Sequence, residues 1–187
     1  TTYRLKMDLV LFGIQGSGKG TQAKKLAADF GYDIFEAGGE LRAIAASGSE
    51  LGETVKPYID VGKLVPHEII MKVVQEAIAT RPKDQKILFD GIPRDEDQMK
   101  DFDTIMEQEG REFHCVQFLL DEEGAIKRIL KRAQDQGRAD DADEEIVRKR
   151  MATFHEKTEP VIEQYKAAGI LREVEGEGAV EEIYERL

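Results

Sequence analysis

The stretch that decides the fold is Met7-Asp8-Leu9-Val10-Leu11-Phe12-Gly13-Ile14-Gln15-Gly16-Ser17-Gly18-Lys19-Gly20-Thr21. Its first half is short, nearly continuously apolar and partly β-branched, the pattern of a strand buried on both faces of a parallel sheet. Gly13-x-x-x-x-Gly18-Lys19 then has the spacing of a Walker A loop. Glycines there let the backbone turn tightly with its N–H groups aimed at an anion. A helix starting near Lys19 adds its positive end, and the lysine reaches the β- and γ-phosphates. The strict pattern has Ser or Thr directly after the lysine, whereas here Gly20 intervenes before Thr21. Ala23, Leu26, Ala27 and Phe30 follow at helical spacing, and Gly31 closes the helix. Strand, loop, lysine and helix together point to a bound nucleoside triphosphate rather than to a bare glycine-rich turn.

The chain around this loop has 187 residues, 27 Lys+Arg against 38 Asp+Glu, and a formal net charge of −11. That length suits one domain with small insertions. The acidity argues against a general nucleic-acid binder, which needs a basic face, but not against a phosphate held in a local basic pocket. No apolar run is long enough for a membrane span, and the apolar part of the first residues is too short for a signal peptide. With one cysteine, Cys115, neither an internal disulfide nor a cysteine-only zinc site is expected, and a reduced, cytoplasmic setting is. Further strands are expected at Tyr32–Phe35, Lys86–Phe89, Val116–Leu120 and Leu171–Val174, alternating with helices. One helix opens at Pro66, another covers Ala125–Ala133 before a polar loop from Gln134 to Ala142. A long one covers Glu144 to about Ala168, interrupted near Pro160, and Ala179–Leu187 closes the chain. This alternation reads as α/β with a parallel sheet. His67, His114 and His155 have no metal-ligand spacing within one element and are read as structural or surface residues.

Several segments, taken in order, resemble the adenylate kinase and nucleoside monophosphate kinase family. They are the loop in its GxxGxGKGTQ form, Glu36-Ala37-Gly38-Gly39-Glu40-Leu41-Arg42, Ser47-Gly48-Ser49-Glu50-Leu51-Gly52 and Gly62-Lys63-Leu64-Val65. Asp90-Gly91-Ile92-Pro93-Arg94 with Gln98, Arg128-Ile129-Leu130-Lys131-Arg132, Gly137-Arg138-Ala139-Asp140-Asp141 and Arg148-Lys149-Arg150 complete the series. The resemblance implies a P-loop three-layer α/β/α fold with a five-stranded parallel sheet. It implies a helical acceptor-binding arm at about 38–65 and a short lid at about 132–141, in one domain, without structural zinc. It also implies a monomer acting on small-molecule nucleotides, with no nucleic acid or membrane as partner.

Residue by residue, the resemblance assigns Gly16, Ser17, Gly18, Lys19, Gly20, Thr21, Arg128, Arg132 and Gly178 to ATP. It assigns Ala37, Arg42, Lys63, Leu64, Val65, Gly91, Arg94, Gln98, Arg138 and Arg150 to the acceptor. Lys19, Arg94, Arg132, Arg138 and Arg150 would carry catalysis, the lysine as a point charge and the arginines as guanidinium forks that match phosphate oxygens bidentately. Asp90, at the carboxyl end of a strand facing the loop, would hold Mg²⁺ through water, with Thr21 a second candidate.

The acceptor base divides the signals. Ala37 and Pro66 follow the uridylate/cytidylate kinase pattern, and Gln98 the adenylate pattern. Gln98 carries more weight, because an amide pairs a donor and an acceptor with an adenine edge and Ala37 offers no hydrogen bond. AMP is therefore the expected acceptor, with UMP or CMP the alternative; a nucleotide-binding sensor without catalysis is a more distant one. Glu36 and Gly39 stand where the family usually has Ser and Asp, and the missing carboxylate at 39 removes one expected contact to the metal shell or the arm.

Overall fold

In the computed structural model, which describes residues 7–14, 16–60, 65–136 and 144–176, the apolar run becomes strand β1, Asp8–Gly13. It lies in the middle of a five-stranded, all-parallel sheet of order β2-β3-β1-β4-β5, with β2 at Asp33–Glu36, β3 at Ile87–Asp90, β4 at Phe113–Leu119 and β5 at Leu171–Glu175. Alternate residues of β1 point to opposite faces. Val10 and Phe12 pack with helices α4 (His67–Thr80), α5 (Glu96–Gln108) and α8 (Glu159–Ala167); Leu11 packs with α1 (Lys19–Phe30). The result is three layers, as the alternation of elements predicts.

The remaining helices stand around the carboxyl end of the sheet. α2 (Ala37–Ala46) and α3 (Glu50–Asp60) form a helical pair whose Ala45 and Val55 pack on Val73 of α4. α6 (Glu122–Gln136) and α7 (Glu144–Thr153) close a smaller apolar cluster, in which Ile126, Ile129, Val147 and Met151 meet Ile14 of the phosphate loop.

Two expected boundaries are corrected. β4 starts at Phe113 rather than Val116, because the pairing Asp8↔Phe113, Leu9↔His114 and Val10↔Cys115 recruits residues too polar to announce a buried strand. α6 continues to Gln136, past the start of the expected polar loop, since no helix breaker occurs before Gly137. The interruption expected near Pro160 is present as a π-helical turn, Phe154–Thr158, and Pro160 lies in the first turn of α8. The expected closing helix lies outside the described residues.

The amino end of β1 carries a charge. Asp8 is buried, accepts the Ile87 N–H at 2.8 Å, and pairs with Arg111 at 3.0 Å; Arg111 also donates to the carbonyls of Pro82 and Gln85. Burial pushes the Asp8 carboxyl up, and the Ile87 N–H and Arg111 oppose that rise. Removing only the cation leaves a buried carboxylate without its counterion, which is costlier than lacking the pair altogether. Arg111→Met is therefore expected to lower the unfolding free energy by about 3 kcal/mol at pH 7 in urea titrations, and by less in acid, where Asp8 takes up a proton.

His155, in the π-helical turn, reaches Glu159 through Nδ1 at 2.6 Å and Glu122 of α6 through Nε2 at 3.3 Å. The hydrogen bond that His155 makes to Glu159 is the main influence and raises its pKa; burial opposes the rise, and the bond to Glu122 adds to it. A raised folded-state value means that the stabilisation is complete below the unfolded pKa of about 6.5 and disappears as pH climbs through the folded value. The group is 42% exposed, so solvent screening holds the effect to at most about 1 kcal/mol. His155→Gln should lower the melting temperature at pH 6 and leave it unchanged at pH 9.

Candidate active site

Between β1 and α1 the backbone turns with Gly16 at φ 84° and Gly18 at φ 83°, a left-handed conformation that a side chain would strain. Gly18 occupies the N-cap of α1 and offers no side-chain cap, so the first amides of the helix face the turn. Ser17 lies inside the turn with its Oγ buried and without a hydrogen-bond partner among the described residues. Gly13 makes room for it: a Cβ at Gly13 would stand 2.6 Å from Ser17 Oγ. A buried, unpartnered hydroxyl beside helix-terminal amides fits an incoming oxyanion.

Lys19, on the first turn of α1, forms an ion pair with Asp90, the last residue of β3. The register Leu11↔Asp90 brings β3 alongside β1 so that its final carboxylate reaches the loop. The sequence expectation that Asp90 faces the phosphate loop is thus met in the geometry.

The loop forms the floor of a cleft of about 1040 Å³. Among the described residues, Lys19, Lys24, Arg94, Arg128, Arg132, Arg150 and Lys157 line it, against one acidic residue, Asp95. A molecule of net charge −11 has therefore gathered seven cations on one concave surface. Like charges repel, so such a concentration suits a polyanionic ligand. The walls come from separate elements: Arg128 and Arg132 are exposed residues of α6 that line the cleft together with Ile129 of its apolar stripe, and Arg150 comes from α7.

Of the residues expected at the site, Gly16, Ser17, Gly18, Lys19, Gly20, Thr21, Gly91, Arg94, Arg128, Arg132 and Arg150 line this cleft. Ala37, Arg42, Val65 and Gln98 stand outside its lining, the first two on α2, Val65 ahead of α4 and Gln98 on α5. A Cβ at Gly91 would come 3.9 Å from the Ala37 Cβ, so Ala37 adjoins the cleft. Arg42 lies 3.6 Å from Glu36, and Val65 is half-buried just ahead of α4. Lys63, Leu64, Arg138 and Gly178 lie outside the described residues, as do Asp140 and Asp141. Gly176, two residues before Gly178, packs against the carbonyls of Leu119 and Ser17.

Gln98 has local work as well. Asp95 caps α5 by accepting the Gln98 N–H at 2.8 Å, and the Gln98 Oε1 in turn accepts the Arg94 N–H at 2.8 Å. The Arg94 guanidinium donates from Nε to the Gly91 carbonyl at 2.8 Å, which fixes the near end of its fork. Thr158, absent from the sequence reading, holds the same backbone from the other side: its Oγ1 donates to the Arg94 carbonyl at 2.7 Å. Lys157 and Lys24 are absent from it too. Helical phase is enough to find Lys24, whereas Lys157 lines the cleft from within the π-helical turn, whose phase differs from that of an α-helix.

Comparison with known proteins decides what this site belongs to. The family model for adenylate kinase matches residues 11–170. The chain belongs to the adenylate kinase family. Family membership makes it a phosphotransferase of the nucleoside monophosphate kinase type. It is similar to the adenylate kinase of Thermus thermophilus, at 39% identity over 96% of this chain and 94% of the relative. It is similar also to those of Phocaeicola vulgatus, at 36% over 95% and 94%, and Caulobacter vibrioides, at 39% over 95% and 93%.

Within the family fold, Lys19 is the loop cation that pairs with Asp90. Lys19→Met is expected to reduce kcat by about 10²–10³-fold with little change in thermal stability, as measured by steady-state kinetics alongside a melting curve. An unchanged kcat would remove Lys19 from the chemistry.

Proposed function

We propose that the protein catalyses ATP + AMP ⇌ 2 ADP, with Mg²⁺ required. The observation that carries this reading is the convergence of seven cations on a loop that holds a buried Ser17 hydroxyl, unpartnered among the described residues. The loop amides, Lys19 and Thr21 would hold the triphosphate, with Arg128 against its base and the Gly178 carbonyl beside it. Arg42 and Arg94 would hold the acceptor phosphate. An oxygen of that phosphate attacks the γ-phosphorus as the bond to the bridging oxygen breaks, and Arg132, Arg138 and Arg150 would meet the charge spread over the transferred group. Protein work in such a transfer is positioning and charge stabilisation, and a phosphate acceptor needs no general base.

Magnesium fits the donor set: a carboxylate at the cleft edge, a hydroxyl one residue past the loop lysine's neighbour, and phosphates from the substrate. Asp90, released from Lys19, would hold the ion's water shell, and Thr21 is the second candidate ligand. The ion would neutralise the β- and γ-phosphates.

Adenine as acceptor base rests on Gln98. Its Oε1 already accepts the Arg94 N–H, but a carbonyl oxygen has a second lone pair, and the Nε2 donor completes a donor–acceptor pair for an adenine edge. The reading extends to a single domain with an acceptor arm at about 38–65 and a short lid at about 132–141, acting as a cytoplasmic monomer on small-molecule nucleotides. Neither nucleic acid nor membrane would be a partner. Among the described residues, no helix is long and apolar enough to cross a membrane.

A coupled assay with AMP, CMP, UMP and GMP as acceptors tests this. AMP is expected to give the highest kcat/KM and chelation of Mg²⁺ to abolish turnover. A tenfold preference for CMP or UMP would transfer the assignment to the pattern of Ala37 and Pro66. Binding without transfer in a single-turnover experiment would reduce the protein to a sensor.

A further inference from the structure

Glu36, the last residue of β2, is the register partner of Asp90 at the carboxyl edge of the sheet. Its carboxylate caps α2: Oε1 accepts the Gly38 N–H at 3.2 Å and Oε2 the Gly39 N–H at 2.7 Å. Oε2 also lies 3.6 Å from Nη2 of Arg42, whose guanidinium folds back over the start of its own helix. The surrounding space is shaped to the carboxylate. A Cβ on Gly39 would stand 2.8 Å from Glu36 Oε2, and one on Gly38 would stand 3.0 Å from Oε1 and 3.3 Å from Arg42 Nη1.

This contact explains the two departures from the family pattern together. With Glu in place of Ser at 36, the carboxylate itself occupies the first turn of α2, and a side chain at 39 would drive it out. Two helix-terminal amides and a guanidinium are donors suited to a phosphate. Here they are engaged by an anion that belongs to the chain.

We propose that Glu36 is an internal stand-in for the acceptor phosphate: it positions Arg42 while the arm is empty and gives the guanidinium up when a nucleoside monophosphate arrives. The proposal rests on the reading of Arg42 as an acceptor-phosphate ligand. A phosphate dianion approaching Arg42 meets a carboxylate already beside it, so the two anions compete for one cation. Glu36 is 50% and Arg42 67% exposed, which makes the competition mild. An exposed pair of this kind changes affinity by about fivefold, not by hundreds. In return, Arg42 keeps an anionic neighbour at the start of α2 while the arm is empty.

The test is calorimetric titration of the full chain with AMP, without ATP or Mg²⁺, so that neither catalysis nor metal enters the readout. Glu36→Gln removes the charge, and Glu36→Ser removes it while keeping a good helix cap, which guards against a variant that fails only by folding. Both are expected to bind AMP about three- to fivefold more tightly, and the gain should vanish in an Arg42→Ala background. Gly39→Ala, which displaces the carboxylate while leaving Glu36 in place, should give part of the same gain. Unchanged or weaker binding in both Glu36 variants overturns the proposal, and so does a gain that persists without Arg42. Wild-type protein that binds none of AMP, CMP and UMP overturns the acceptor reading itself, an outcome distinct from a failure confined to the Glu36 variants.

Discussion

The structure depends on one steric constraint, the folding of the backbone around the Ser17 side chain at the carboxyl end of β1. Gly13 has no Cβ because Ser17 Oγ occupies the space, and the left-handed turns at Gly16 and Gly18 send the chain back as α1. That reversal fixes the direction of α1 against the sheet, and with it the position of Lys19 beside Asp90. The outer wall depends on it too. Ile14 packs into the α6–α7 cluster, and a Cβ at Gly16 would come 3.0 Å from the Ala125 carbonyl, so α6 is seated directly on the loop. The helix that carries Arg128 and Arg132 is thus placed by the turn that its arginines overlook.

The two ends of the sheet treat charge in opposite ways. At the amino end, Asp8 and Arg111 are buried and paired, with carbonyls and an N–H satisfying the rest of their bonding. At the carboxyl end, seven cations line the cleft with Asp95 the acidic residue among its described lining, and Lys19 pairs with Asp90 at the end of β3. The first arrangement is closed and serves the fold; the second is left incomplete, which is what a ligand-binding surface requires. Net charge describes neither. It sets solubility and long-range steering, while the local field in the cleft sets what binds there.

Much of this is legible in the chain because local pattern and final environment agree. The β1 run, the loop glycines, the stripe of α4 and the strand that ends at Asp90 each announce themselves by period or spacing, and all lie where that reading puts them. Tertiary pairing overrides local signals elsewhere. Arg111-Glu112-Phe113-His114 does not look like the entry to a buried strand, yet parallel pairing with β1 makes it one from Phe113 onward. Gln134-Asp135-Gln136 reads as loop by composition, but nothing in it stops a helix already running. Thr158 is invisible for a different reason: its partner is Arg94, 64 residues earlier, and no periodicity encodes a hydrogen bond across that separation. Glu36 and Gly39 are visible as departures, and only their contact shows that they are one change.

The hydrogen bond from Thr158 to the Arg94 carbonyl joins the two sides of the cleft mechanically. Thr158 ends the π-helical turn that follows α7, the helix carrying Arg150, whereas Arg94 lies between β3 and α5. A rotation of α7 that carries Thr158 with it must either drag the backbone of Arg94 along or break a 2.7 Å bond. The π-helical turn is wider and less regular than the helices on either side, so it is the natural place for such a rotation to be absorbed. The segments that carry Arg150 and Arg94 are in that sense geared to one another through the Thr158 hydroxyl.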